Sequence, residues 1–173
     1  MSAPEWLIAL GIPAGCIARR SSAEERARRF TIHPRTRDIV WRIKVDECWL
    51  QSPDEKKVDY LFWGQSASGR KVILLVELKG EDFGKALRQI RSTLEELCKR
   101  ADGNGIHVGL HQRSPGHDLL ADRGVQAYVV LSKGKGVPQR QREREWLRQR
   151  YGVLVHAGER HIEIKSVDAI FSR

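Results

Sequence analysis

The sequence has no long hydrophobic run, few aromatic residues at 7%, and only three cysteines. No apolar stretch approaches the roughly 20 residues that a membrane-spanning helix requires, so we expect no membrane partner. The first residues, MSAPEWLIALGIPAGC, lack the basic start of a secretory signal and carry Glu5 and Pro13 around a very short apolar stretch. We therefore expect them to be part of the fold.

The three cysteines, Cys16, Cys48 and Cys98, are an odd number and do not have the spacing of a metal site. We expect reduced thiols in a reducing compartment, with a cytoplasmic location as the default. Cys48 is predicted to be a small buried residue and not a nucleophile. His107 and His111 lie on a predicted strand, where four residues span about 13 Å, so they do not share a zinc ion.

Positive charge is abundant: the formal net charge is +9 and the pI is about 9.8. Clustered Lys and Arg displace counterions from phosphates, so the excess of positive charge favours a nucleic acid as the binding partner. DNA is preferred, and RNA is the alternative. Two basic segments, LSKGKG and QRQREREWLRQR, are candidate contact regions through Lys133, Lys135, Arg140 and Arg144. Acidic residues interrupt the second segment, and a solvated helix with internal ion pairs explains it equally well.

The length favours a single domain over residues 1–173. Residues 1–30 are predicted to be helical, because Ser21 or Ser22 followed by Glu25 forms a capping-box pattern. DIVWRIKVDECWL and KKVDYLFWG are predicted strands, and GQSASG links the second of them to the apolar strand KVILLVEL as an antiparallel hairpin.

The second half of the chain alternates helices and strands. GEDFGKALRQIRSTLEELCKR is predicted as a helix with Asp82 as its N-cap. Its apolar residues follow helical spacing: Phe83, Leu87, Ile90, Leu94 and Leu97. IHVGL and AYVVLSKG are predicted strands, PQRQREREWLRQRYG is a predicted basic helix, and VLVHA and HIEIKSV are predicted as a closing pair of short strands. This order predicts an α/β fold with helices flanking a mixed central sheet.

Two ionisable residues, Glu77 and Lys79, close the apolar strand. Side chains alternate along a strand, so these two share one face and Leu78 lies on the other. In a hairpin centred on position 68, inside GQSASG, Asp59 lies opposite Glu77. Two carboxylates this close repel unless a cation lies between them. The alternative is an ordinary set of ion pairs at a strand end.

Mg²⁺ suits such a pair, because it accepts one or two protein carboxylates and keeps several waters. We predict Asp59 and Glu77 as its ligands, with Mn²⁺ as a substitute and the Leu78 carbonyl as a backbone ligand. Lys79 would stabilise charge on a phosphate or help deprotonate a metal-bound water. Gln89 would lean over the same site from the helix. The predicted chemistry is phosphodiester hydrolysis.

Asp59, then Glu77-Leu78-Lys79 at the end of an apolar strand, then a helix with Gln89, resembles the PD-(D/E)xK nuclease superfamily. This superfamily includes many restriction endonucleases and archaeal Holliday junction resolvases. The resemblance implies a restriction endonuclease-like αβββαβ core, metal binding by the two carboxylates and assistance of the water by the lysine. For a resolvase-like enzyme it also implies a homodimer.

The resemblance covers residues 58 to about 98, within a core region of about 39 to 131. The sequence departs from it at Val58, where a proline is usual, and at Thr93, where one subset of the superfamily has a tyrosine. Several such nucleases bring a further glutamate to the metal from an N-terminal helix, a role open here to the Glu24–Glu25 pair. The alternative for this pair is exposed helix charges that bind Arg28 or Arg29 at helical spacing.

The predicted function is therefore a Mg²⁺-dependent nuclease that cleaves DNA. A protein of the same fold that binds or assembles on nucleic acid without cutting it is the alternative. A regulatory protein whose basic surface binds an acidic partner protein is a third class, and a steep fall of DNA affinity with salt would count against it.

Overall fold

A computed structural model describes residues 2–78, 82–103, 123–132 and 140–172. In chain order the elements are α1 (Glu5–Ala9), a 3-10 turn (Ala14–Cys16), β1 (Ile17–Ala18), β2 (Ser22–Glu25), β3 (Arg28–Ile32), β4 (Ile39–Lys44), β5 (Tyr60–Gln65), β6 (Lys71–Glu77), α2 (Phe83–Gly103), β7 (Arg123–Leu131), α3 (Gln141–Tyr151), β8 (Leu154–Glu159), β9 (His161–Ile164) and a second 3-10 turn (Asp168–Ser172). No helix within these ranges is long and apolar enough to cross a membrane.

A mixed sheet forms the centre of this α/β fold. In the described part of the chain, six strands follow the order β1-β4-β5-β6-β7-β8. Neighbours are antiparallel from β1 to β6, while β7 runs parallel to β6 and β8 runs parallel to β7. Parallel neighbours need a crossover connection. Helix α2 lies in the crossover from β6 to β7, and α3 lies in the crossover from β7 to β8. The predicted mixed central sheet is confirmed.

Different layers cover the two faces of this sheet. Ile73 and Leu75 pack in one cluster with residues of α1, α2 and α3. Leu74 and Val76 point the other way and pack with a small sheet of order β2-β3-β9 and the second 3-10 turn. Because β6 is buried on both faces, its sequence is an unbroken apolar run and not an alternating one.

The prediction of helix over residues 1–30 is wrong for most of that range. Only α1 and a 3-10 turn are helical there, and β2 and β3 form an antiparallel hairpin. The reason is tertiary: Ala23 and Phe30 are fully buried, and Phe30 packs its ring 5.3 Å from Phe62 and 5.1 Å from Tyr128. This burial outweighs the local capping-box signal, because intrinsic helix propensities are weak.

Most later elements match their predictions. The apolar stripe of α2 is buried, and the Asp82 side chain caps that helix by accepting a hydrogen bond of 2.8 Å from the Lys85 N–H. IHVGL lies outside the described residues. VLVHA and HIEIKSV supply the two last strands, as predicted. β8 joins the central sheet, and β9 pairs in parallel with β3.

The expectation of reduced cysteines is also wrong, because Cys16 and Cys48 form a disulfide. Pairing of Ile17 with Ile43 places the chain before β1 beside the end of β4, and the turn after β4 returns Cys48 to that point. The two Cα atoms are 5.7 Å apart. Cys48 is half-buried, and Cys98 is buried in α2 and keeps its thiol.

Thiol counting tests this disulfide. We expect one reactive thiol in denatured, unreduced protein and three after reduction, because only Cys98 is outside the bond. Reduction should also lower the free energy of unfolding by about 3–4 kcal/mol, because the bond closes a loop of about 30 residues. A Cys98→Ser control should show no thiol before reduction. Three thiols in unreduced wild type would contradict the assignment.

Candidate functional site

The pairing of β5 with β6 brings the two predicted carboxylates together. The ladder runs from Gln65–Lys71 at the loop to Tyr60–Val76 at the far end. Asp59 and Glu77 are one residue beyond that last pair, so the predicted register is confirmed. Alternation along β6 places Glu77 on the face that the helices cover.

Reciprocal hydrogen bonds then orient the two side chains. The Asp59 N–H donates to Glu77 Oε2 at 3.1 Å, and the Leu78 N–H donates to Asp59 Oδ2 at 2.7 Å. Asp59 is half-buried, whereas Glu77 has 0% exposure. A buried carboxylate needs polar partners, and a backbone N–H is a strong donor to it. Each strand thus holds the acidic side chain of the other.

A polar cavity of about 510 Å³ opens beside Asp59. Its described wall is Glu25, Arg26, Arg28, Lys44, Asp46, Glu47, Lys56, Asp59, Tyr60 and Leu78. The cavity therefore faces equal numbers of acidic and basic side chains in the described residues, and one opposite pair, Lys44 and Glu47, is 3.7 Å apart. Such a wall suits a ligand that carries both a cation and an anion.

Helix α2 fixes the segment before Asp59 through two side chains one turn apart. Gln89 Nε2 donates to the Lys57 carbonyl at 2.7 Å, and the Val58 N–H donates to Thr93 Oγ1 at 3.0 Å. Both helix residues are buried. Gln89 therefore contacts the backbone two residues before Asp59, and Thr93, which departs from the superfamily pattern, holds the next residue.

Lys57 is a further anchor that the sequence did not reveal. Its side chain is only 8% exposed, and Nζ contacts Ser92 Oγ and lies 3.4 Å from Glu55 Oε2. The Ser92 hydroxyl also donates to Glu55, and this hydrogen bond, followed by the hydrogen bond and charge of Lys57, lowers the pKa of that carboxyl. A lysine in a polar stretch is normally exposed, so no sequence signal marked this one as buried.

The predicted basic contacts divide into two groups. Lys79, Lys133 and Lys135 lie outside the described residues. Arg140 precedes α3, is 3.1 Å from Glu143 and lies against Gly84 in the first turn of α2. Arg144 Nη2 donates to the Val155 carbonyl of β8 at 2.7 Å. These two arginines therefore also have contacts within the fold.

The two candidate glutamates of the N-terminal region have separate surroundings. Glu24 is 2.7 Å from Arg29, opposite it in the hairpin, so this pair has cross-strand geometry and not helical spacing. Glu25 lines the cavity beside Asp59. No group of three or more His, Cys, Asp or Glu side chains placed to hold a metal occurs among the described residues.

Two carboxylates and a carbonyl are nevertheless compatible with Mg²⁺. Glu77 Oε2 and Asp59 Oδ2 accept the backbone hydrogen bonds that hold the two side chains at this strand end. Mg²⁺ takes one or two protein carboxylates and fills its other positions with water, for which the polar cavity has room. The residues that could hold it are Asp59, Glu77 and the Leu78 carbonyl.

No family model matches the chain, and no curated protein or solved structure matches it. The function is therefore argued from the site itself.

The hydrogen bond from Val58 to Thr93 can be tested by substitution. Thr93→Val should leave the Val58 N–H buried without its acceptor and lower the free energy of unfolding by about 1–3 kcal/mol. Hydrogen exchange of the Val58 amide, measured by NMR, should become faster. Thr93→Ser keeps the hydroxyl, so Val58 should remain protected although a methyl group is lost. Equal exchange in both variants would show that Thr93 does not hold this segment.

Proposed function

We propose that the chain is a Mg²⁺-dependent nuclease that hydrolyses phosphodiester bonds in DNA. The observation that carries the proposal is the reciprocal hydrogen bonding of Asp59 and Glu77 at the open end of the β5–β6 hairpin. Asp59 lines the polar cavity, the buried Glu77 accepts the Asp59 N–H, and a pair of carboxylates is what a divalent cation needs. The net charge of +9 supports a polyanionic substrate.

The strand order supports the same proposal. An antiparallel run of β4, β5 and β6 is followed by α2 and then by β7, parallel to β6. This order is compatible with the βββαβ part of a restriction endonuclease-like core, whose first helix would correspond to α1, although β1, β2 and β3 lie between α1 and β4. We infer that residues of about 39 to 131 are that core.

The proposed chemistry assigns a separate task to each residue. Mg²⁺, or Mn²⁺ in its place, supplies charge that stabilises the phosphate and activates a water when it is bound. Asp59 and Glu77 would hold the ion together with the Leu78 carbonyl. Lys79 holds a positive charge near the phosphate or takes a proton from the water. Gln89 is a positioning residue, because it acts on Asp59 through the Lys57 backbone.

A second candidate is a nucleic-acid-binding or assembly protein that does not cut. The full burial of Glu77 favours it, because a carboxylate that accepts the Asp59 N–H in the interior also serves as a structural link between strands. Under this alternative, nucleic acid binds equally well with or without a divalent cation. RNA is then as suitable a partner as DNA.

Substitution of the two carboxylates tests the nuclease proposal. Glu77→Gln and Asp59→Asn should each lower cleavage at least about 100-fold, because each loses a charged metal ligand. Both amides retain an oxygen that can accept the backbone hydrogen bond, so the fold should persist by circular dichroism. The assay uses plasmid, linear, single-stranded and branched DNA, with Mg²⁺, Mn²⁺ or a chelator.

Glu5→Gln is the matched control, since Glu5 is an exposed acid in the first turn of α1. It should cleave as wild type does. Metal-dependent cleavage that survives both site substitutions would refute the assignment of residues. Absence of cleavage in wild type, with DNA binding unchanged by chelator and by Glu77→Gln, would favour the non-cutting candidate.

A further inference from the structure

The hairpin of β2 and β3 has an unusual turn above the cavity. Arg26 and Ala27 connect Glu25 to its cross-strand partner Arg28, and their φ angles are 45° and 63°. Two-residue turns with positive φ at both positions strongly favour Asn and Gly. A residue with a Cβ is strained there. The turn therefore keeps an arginine side chain at a position where the backbone favours glycine.

Packing of β3 sustains this strain and fixes the place of the turn. Phe30 is buried against Phe62 and Tyr128 of the central sheet, and the Arg29 N–H donates to the Arg160 carbonyl at 2.7 Å. Strained backbone persists only where the surrounding structure over-determines it, and it is enriched at functional sites. The turn is thus a fixed part of the cavity wall.

Both arginines of the turn region face the same cavity as Asp59. Arg28 Nη1 donates to Ser132 Oγ at 3.3 Å, while its Nε is buried and has no hydrogen-bond partner in the part of the chain that the structure describes. Neither Arg26 nor Arg28 takes part in an ion pair among the described residues. Arg28 reaches the cavity through the rest of its guanidinium, and a phosphate oxygen is a strong acceptor for a guanidinium.

The acidic residues of the wall decide what kind of ligand fits. Glu25, Asp46, Glu47 and Asp59 also face the cavity, and Lys44 lies close to one of them. These carboxylates oppose a bare anion. With the divalent cation that the proposed function places at Asp59, the wall gains positive charge and the two arginines can act on a phosphate.

We propose that the β2–β3 hairpin binds the DNA backbone, with Arg26 and Arg28 on phosphates next to the bond that is held at Asp59. The inference rests on the proposed function for the identity of the polyanion. The DNA contact would come from a β-hairpin. In this region the superfamily resemblance had implied a helix that brings a glutamate to the metal. Lys56 lines the same cavity and adds a further positive charge to its wall.

Two glycine substitutions separate backbone strain from phosphate binding. Arg26→Gly and Ala27→Gly should each raise Tm by about 2–4 °C, because each relieves one strained φ. Only Arg26→Gly should weaken DNA binding, by roughly tenfold, because only it removes a charged donor. Arg28→Ala should weaken binding to a similar degree, and Arg35→Ala, an exposed arginine beyond the other end of β3, should not.

The probe is a fluorescent DNA duplex of about 30 base pairs, roughly three helical turns, with Mg²⁺ present. All variants keep Glu77, and the duplex carries phosphorothioate linkages, which slow hydrolysis, so that the proposed ion site and the DNA both stay intact. Affinity is measured from about 50 to 200 mM salt, and loss of one phosphate contact should reduce the slope of log K against log salt by about 1.

The outcomes are distinct for the two proposals. The hairpin contact is supported if Arg26→Gly and Arg28→Ala bind DNA more weakly and with a shallower salt slope. Ala27→Gly and Arg35→Ala should then bind as wild type does. This support holds even if wild type does not cleave DNA. Binding with the affinity and slope of wild type in all four variants overturns the hairpin contact and leaves the nuclease proposal standing. No DNA binding by wild type overturns both.

Discussion

The antiparallel ladder between β5 and β6 carries Asp59 and Glu77 to the same end of the central sheet. A shift of one residue in this ladder would turn Glu77 to the other face, because side chains alternate along a strand. The register is fixed by burial of β6 on both faces, where its apolar residues fill two separate clusters. The position of the candidate site therefore depends on the packing of both core clusters, which include the neighbouring residues Val58, Val76 and Leu78.

The segment before Asp59 has no strand ladder of its own, and side chains of α2 hold it instead. Gln89 and Thr93 bind consecutive backbone groups, and Ser92 contacts the buried Lys57. Helix α2 is in turn fixed by its buried apolar stripe. The geometry of Asp59 is thus set by β6 through Leu78, by α2 through the preceding backbone, and by Val45 after β4, whose N–H donates to the Asp59 carbonyl at 3.0 Å.

The small sheet has two roles in this arrangement. Its inner side closes the second core through Phe30, and its turn reaches the cavity beside Asp59. Burial of β3 through Phe30 therefore also fixes where the arginines of the turn lie. Positive φ at Arg26 and Ala27 is tolerated because burial of β3 is worth more than the local strain.

The sequence alone determined the elements whose signals are local. The spacing in α2 fixes its buried face, and the apolar run of β6 and the loop GQSASG fix the hairpin register and the meeting of Asp59 with Glu77. Only the tertiary structure decided the β2–β3 hairpin, the disulfide of Cys16 with Cys48 and the burial of Lys57. Each of these depends on contacts between residues distant in the chain, and such contacts outweigh the weak local preferences of the backbone.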